Sequence, residues 1–174
     1  NNDNCFFGFK TGQVNKGAVN TFVGILAGLN NDTASLNTFL GGNAGRFNRA
    51  GYANVFTGVS SGASNISGSL NTAIGYATLS GNTSSSIGSS FQNTLLGAFA
   101  GSQMNASSNN VMLGFQAGTS AKNAQNNVLI GMQSGYSLAA LSNTDNNNVF
   151  IGHQSGQAFQ GGGLNTLLGT NTIA

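Results

Sequence analysis

Charged side chains are almost missing from this sequence. Only 5% of its 174 residues are Asp, Glu, Lys or Arg, and there is no Glu, whereas a typical soluble domain has about a quarter. A disordered chain is usually rich in charge and poor in aromatic residues, but this one has 12 Phe and 39% hydrophobic residues. The composition therefore indicates a folded chain that stays soluble through Asn, Ser, Thr and Gln.

Other absences exclude whole classes of protein. The single cysteine, Cys5, rules out an intrachain disulfide, and there is no Pro or Trp. The sequence contains no run of about 18 apolar residues, the length that a membrane-spanning helix needs. The scattered bases give no dense basic face for nucleic acid; they are Lys10, Lys16, Arg46, Arg49 and Lys122. The sequence opens without a signal-peptide pattern, so for an exported protein we expect the signal and any anchor to lie outside this segment.

The sequence also lacks the residues of common catalytic and metal sites. Glycosidases need a pair of carboxylates, but the only acids are Asp3, Asp32 and Asp145, which lie in different repeats. Calcium-binding nonapeptide repeats need aspartates in every turn. His153 has no partner in sequence and is expected to be structural or at the surface. We therefore expect no enzyme activity, no metal and no cofactor.

What the chain does contain is one motif, Asn-x-x-φ-Gly, written ten times, with φ apolar except for one Thr. Counting each repeat from its asparagine as position 0, the glycine stands at +4. Successive asparagines are 16 to 22 residues apart, most often 17. The asparagines are Asn4, Asn20, Asn37, Asn54, Asn71, Asn93, Asn110, Asn127, Asn148 and Asn165. The glycines are Gly8, Gly24, Gly41, Gly58, Gly75, Gly97, Gly114, Gly131, Gly152 and Gly169.

A period of 17 residues fits one coil of a β-solenoid with two short strands and two turns, and is too short for a helical repeat or a propeller blade. Positions +1 to +3 are mostly β-branched, aromatic or long aliphatic, as strands prefer. The sequence predicts an all-β fold, a parallel β-solenoid or β-roll of about ten coils of about 17 residues. Residues 1–174 form a single repeat region, interpreted as a fragment of a longer fibre or as a filament subunit.

Neighbouring strand residues point to opposite faces, yet positions +1, +2 and +3 are all largely apolar. One face can fill the coil, and the other then needs a cover. We expect position +2 to face a partner chain in an intertwined or side-by-side homotrimer; the alternative is that it fills its own coil. The predicted interface residues are Phe6, Phe22, Phe39, Phe56, Leu95, Met112, Leu129, Phe150 and Leu167.

The asparagine and the glycine have separate explanations. Stacked coils place like residues above one another, so the asparagine amides are predicted to form a hydrogen-bonded ladder. The glycine at +4 fits a sharp corner with positive φ or a close approach of backbone.

The repeats resemble two known groups. The segment Asn71-Thr72-Ala73-Ile74-Gly75-Tyr76-Ala77-Thr78 is similar to the YadA-like head repeats of trimeric autotransporter adhesins. That consensus has four residues between Asn and Gly, and this chain has three. The segment resembles still more closely the "NTAIGY" arrays of phage tail fibres and large bacterial surface proteins. The resemblance covers essentially the whole chain and implies a trimeric fibre on a cell or virion surface, without catalytic residues.

Two repeats carry additional residues, within 79–92 and 136–148, and insertions in solenoids often form binding loops. Ser84, Ser85, Ser86, Tyr136 and Asp145 are therefore candidate contacts with a host glycan or protein, although tolerated variation in loop length is the simpler explanation.

Three smaller features have two interpretations each. Tyr76 and Tyr136 are candidates for a glycan-binding surface or for packing. Arg46 and Arg49 are candidates for a small anion or partner contact, or for a solubilising turn. Cys5 is interpreted as a small core residue or as an interchain contact.

The leading functional hypothesis is a structural segment of a homotrimeric extracellular fibre, a surface adhesin or phage-like tail fibre that projects or forms a binding surface. The alternative is a self-assembling extracellular filament built by stacking solenoid ends. A glycan-processing tailspike is disfavoured by the missing carboxylates.

Overall fold

A computed structural model describes residues 3–81, 90–138, 146–159 and 162–173. These residues form an all-β parallel β-solenoid of about nine turns, without a helix. Each repeat contributes one strand of three residues at positions +1 to +3. The strands are β1 (Cys5–Phe7), β2 (Thr21–Val23), β3 (Thr38–Leu40), β4 (Val55–Thr57), β5 (Thr72–Ile74), β6 (Thr94–Leu96), β7 (Val111–Leu113), β8 (Val128–Ile130), β9 (Val149–Ile151) and β10 (Thr166–Leu168).

The ten strands form one sheet in chain order, each parallel to the next. The register places equal positions above one another, so that Phe22 pairs with Phe39. It is unchanged across the two longer repeats, where Thr72 pairs with Thr94 and Val128 with Val149. The additional residues of those repeats therefore leave the sheet undisturbed.

The expectation of two strands per coil is wrong for the described residues. The residues that lead from one strand to the next, which we call the return limb, form turns. Outside the sheet, the described residues contain three isolated β-bridges. In every repeat, positions −1 and +6 are left-handed, with φ between 41° and 66°, as at Leu36 and Leu26. Such residues interrupt extended backbone, and Leu36 and Leu26 still donate their N–H groups to Ala18 and Phe9 of the preceding coil.

The placement of position +2 at an interchain interface is also wrong, because these side chains fill their own coil. Phe22, Phe39 and Phe56 are fully buried within the single chain. Their rings stack, with centroids 4.7 Å apart for Phe22–Phe39 and 5.0 Å for Phe39–Phe56. Ala73, Leu95, Met112, Leu129 and Phe150 continue the column, while Phe6 and Leu167 in the first and last strands are partly exposed.

The opposite wall of the core, at position +11, changes character along the axis. In the first half it is a second column of buried asparagines: Asn48 donates to Asn31 (3.0 Å) and Asn65 donates to Asn48 (2.7 Å). In the second half the same position is apolar and buried, being occupied by Met104, Ala121, Leu138 and Phe159. Apolar side chains thus replace the amides where the phenylalanine stack at +2 has ended.

The side chains at positions +2 and +8 together fill the core, and a large residue at one position accompanies a small residue at the other. Where +2 is Phe56, position +8 is Gly62, whose φ is 58° and whose added Cβ would overlap the Phe56 ring. In the next coil +2 is Ala73, and +8 is the fully buried Leu79 in the same left-handed conformation, with φ of 50°. A large and a small residue have exchanged positions, as close packing requires.

This exchange gives a prediction. Phe56→Ala should cost about 3–5 kcal/mol of unfolding free energy through the cavity it leaves, and Gly62→Leu should also destabilise because it overpacks the core. The double variant copies the next coil and should be more stable than the sum of the single effects predicts, by about 1 kcal/mol or more. Denaturant unfolding of the four proteins measures the coupling. Additive effects would contradict the proposed exchange of volume.

Candidate interaction surface

The asparagine at position 0 holds each coil to its neighbours through buried hydrogen bonds. Asn110 is representative. Its Nδ2 donates to Oδ1 of Asn93 (3.0 Å) and to the carbonyl of Ala124 (2.9 Å). Its Oδ1 accepts the backbone N–H of Asn127 at 3.0 Å and the side-chain amide of Asn127 at 3.1 Å. One side chain therefore bonds to the coil before it, to the coil after it and to its own return limb.

The same arrangement recurs along the axis, as the sequence predicts. Amide-to-amide bonds of 2.9 to 3.2 Å form an unbroken series from Asn37 to Asn165, which we call the amide column. In the first coils, Oδ1 of Asn4 accepts the backbone N–H of Asn20, and Oδ1 of Asn20 accepts that of Asn37. Position 0 and position +2 are two residues apart on extended backbone and share a face. The amide column therefore fixes position +2 inside the coil and positions +1 and +3 outside.

The glycines at +4 turn the chain at the end of each strand. Their φ values lie between 124° and 140°. The stacking also leaves no space for a side chain: a Cβ on Gly41 would lie 2.6 Å from the carbonyl carbon and oxygen of Gly58. Both reasons given for this glycine, positive φ and close backbone approach, apply here.

The outer face of the sheet is the most prominent surface feature. We define it as positions +1, +3 and +5 of the ten repeats. Exposed apolar residues run along its length, and several are large: Leu40 is 47% exposed, Leu96 50% and Phe115 45%. Other exposed members are Phe7, Phe9, Ile25, Val55, Val59, Ile74, Tyr76, Met132, Ile151 and Leu168. The outer face, and not position +2, is thus a long apolar surface that one chain leaves in water, and Val19, Leu36 and Leu70 at position −1 form a second exposed apolar row.

The outer face carries no charged residue in any repeat, and the half-buried His153 is its one histidine. The five bases instead lie at positions +6 to +12, such as Lys16, Arg49 and Lys122 at +12. The face is about 43 Å long, because ten strands are separated by about 4.8 Å each, and its strand portion is about 10 Å wide across three residues. The strand portion covers about 430 Å², and exposed side chains at position +5, such as Ile25, extend it. The face therefore lies toward the upper end of the apolar patches that monomers expose.

The candidate contact residues in the longer repeats are only partly described. Ser84, Ser85, Ser86 and Asp145 lie outside the described residues. Tyr136 is half-buried beside a turn, and Tyr76 lies on the outer face, where its ring packs edge-on against Phe99 at 5.2 Å. The structure does not bring Tyr76 and Tyr136 into one described site.

Groups capable of catalytic chemistry are sparse in the described part of the chain. Cys5 is exposed at position +1 of β1, not in the core. Residues 3–81, 90–138, 146–159 and 162–173 contain no cluster of three or more His, Cys, Asp or Glu side chains that could hold a metal ion. Within the same ranges, no helix is long and apolar enough to cross a membrane.

The chain matches no protein-family model, no curated protein sequence and no solved structure.

The amide column can be tested at its centre. Asn110→Ala removes donors to two buried carbonyl groups and leaves the backbone N–H of Asn127 without its acceptor. Since each unsatisfied buried polar group costs about 1–3 kcal/mol, we expect a loss of about 3 kcal/mol or more in unfolding free energy. The matched control is Asn30→Ala on the return limb, which should change stability by less than about 0.5 kcal/mol. Equal losses from the two variants, measured by denaturant unfolding, would contradict a special role for position 0.

Proposed function

We propose that this chain is a structural segment of a homotrimeric extracellular fibre, in which the outer faces of three copies pack around a shared axis. The observation that carries the proposal is the uncharged apolar outer face, which extends along the whole length of the sheet. The segment acts mechanically, as a stiff spacer, and has no catalytic role.

The length of the outer face and its lack of charge support self-association. A protein interface of standard size buries about 800 Å² on each partner, and the strand portion of the outer face offers about 430 Å², to which the exposed side chains at position +5 add. The centre of an interface is typically depleted of charged residues, and this face has none. A second copy of the chain also has the same strand spacing, so the rows of side chains on two copies can interdigitate over their full length.

The interior supports a mechanical role. Every coil is bonded to the next by a buried amide column as well as by the sheet. Bending the axis would stretch these bonds on one side and compress the core on the other. The similarity of residues 71–78 to surface-fibre repeats supports both the trimer and a location on a cell or virion surface. The alternative, a filament that grows by stacking solenoid ends, uses the same coils but does not require the outer face to be covered.

The oligomeric state tests the proposal. Light scattering on the purified chain should give three times the chain mass of 17.5 kDa. The double variant Leu96→Lys/Leu113→Lys places two charges in the middle of the outer face and should give a monomer, because an unpaired charge buried at an interface is costly. Circular dichroism should stay unchanged, since both side chains lie outside the core.

The control adds the same charges on the other side of the coil. Ser120→Lys/Ser137→Lys changes two surface positions at +10 and should leave the trimer intact. A monomeric wild-type chain, or equal dissociation of both double variants, would refute the shared-axis trimer. Filaments that lengthen with time in electron micrographs, and that persist in Leu96→Lys/Leu113→Lys, would favour end-to-end assembly instead.

A further inference from the structure

Two arginines on the return limb of the third coil have no anionic partner. Arg46 and Arg49 lie at positions +9 and +12 of that coil. Asp32, which occupies the same position +12 in the preceding coil as Arg49 does in the third, is paired with Lys16 at 2.6 Å. Within the described residues neither arginine has an ion pair, and Nε of Arg46 is buried without a hydrogen-bond partner. In a chain with so few charges, two adjacent unpaired guanidinium groups call for an explanation.

A cavity lies beside these arginines, between the third and fourth coils. It has a volume of about 280 Å³ and is lined by Phe47, Arg49, Ser64 and Ile66. Arg46 lies over the ring of Phe47, with its guanidinium carbon 5.0 Å from the ring centroid. The cavity thus combines apolar walls from Phe47 and Ile66, a hydroxyl from Ser64 and the positive charge of Arg49.

We propose that this cavity binds a small carboxylate whose body is a single ring, the class that includes acidic sugars and aromatic acids. The guanidinium of Arg49 pairs with the carboxylate, because its planar array of N–H donors matches the two carboxylate oxygens. The ring of the ligand lies between Phe47 and Ile66, and Ser64 donates a hydrogen bond to a polar substituent. The stacked Arg46 adds a second positive charge that attracts the anion.

The size and place of the cavity support this class of ligand. Pockets for drug-sized molecules have volumes of about 300–1,000 Å³, so this cavity suits one ring and not an extended chain. It lies at positions +10 and +12, on the limb opposite the outer face, and is therefore open in a monomer and in the proposed trimer alike. The binding site does not depend on the proposed function. In a trimer, however, three copies would bind a multivalent partner more tightly than one copy does.

The test uses the whole chain, labelled with ¹⁵N, and titrates glucuronate and benzoate separately. Glucose and benzyl alcohol serve as the uncharged counterparts. We expect saturable shifts of the amide signals of Arg49, Ser64 and Ile66 with one of the two acids, at a millimolar dissociation constant, and none with its uncharged counterpart. Saturation by glucuronate identifies an acidic sugar as the ligand class, and saturation by benzoate an aromatic acid.

Two variants decide whether Arg49 is responsible. Arg49→Gln should weaken binding about tenfold or more, and Lys122→Gln should leave it unchanged. Lys122 is a suitable control because it is an exposed base at the same position, +12, of the seventh coil. Unchanged amide signals in the sheet show that both variants are folded. The proposal is overturned if neither acid gives saturable shifts, or if the two variants bind equally well.

Discussion

A side-chain amide buried between two others is the interaction on which this structure depends. An unpaired buried amide group costs about 1–3 kcal/mol, whereas a hydrogen bond that pairs it contributes about 0.5–1.5 kcal/mol net. A coil that carries Asn at position 0 is therefore stabilised by each neighbouring coil that pairs with its amide. This pairing imposes equal register on all ten strands and tolerates residues added elsewhere in the repeat, as the two longer repeats demonstrate.

The amide column also accounts for the unusual backbone of the return limb. Each coil contains non-glycine residues in left-handed conformation at positions −1 and +6, at a cost of about 1–2 kcal/mol each. These corners bring the chain back within 17 residues, so that Nδ2 of the asparagine reaches a carbonyl 14 residues further along, as Asn37 reaches Gly51. Hydrogen bonds between coils offset the strain, because the left-handed residues donate their N–H groups to the coil before.

Much of the fold could be predicted from the sequence, because a period written ten times makes each position comparable with nine others. The parallel solenoid, the amide column and the corner glycines follow from that comparison. The direction of position +2 was predicted incorrectly, although the sequence contained the answer. Asn37 must be buried to use its amide, and Phe39, two residues later, must share its face. Apolarity alone does not distinguish the two faces of the strand, because positions +1, +2 and +3 are all largely apolar.

The second amide column could also have been found, since Asn15, Asn31, Asn48 and Asn65 repeat at the same intervals as the first. The exchange of Phe56 and Gly62 for Ala73 and Leu79 is different, because it depends on which side chains meet across the coil. The same is true of the cavity beside Arg49, which two coils form together. Contacts of this kind are set by the three-dimensional path of the return limb, and no periodicity in the sequence specifies them.

The direction of the amide bonds has an electrical consequence. From Asn165 back to Asn54, every Nδ2 in the column donates to the preceding coil, and from Asn148 back to Asn37 every Oδ1 accepts from the following one. The dipoles of these amides are therefore aligned and add along the axis, as peptide dipoles do in a helix. The positive pole lies toward the amino-terminal coils. Chains that pack side by side in the same direction bring like poles together, and the contact between their apolar faces must outweigh that repulsion.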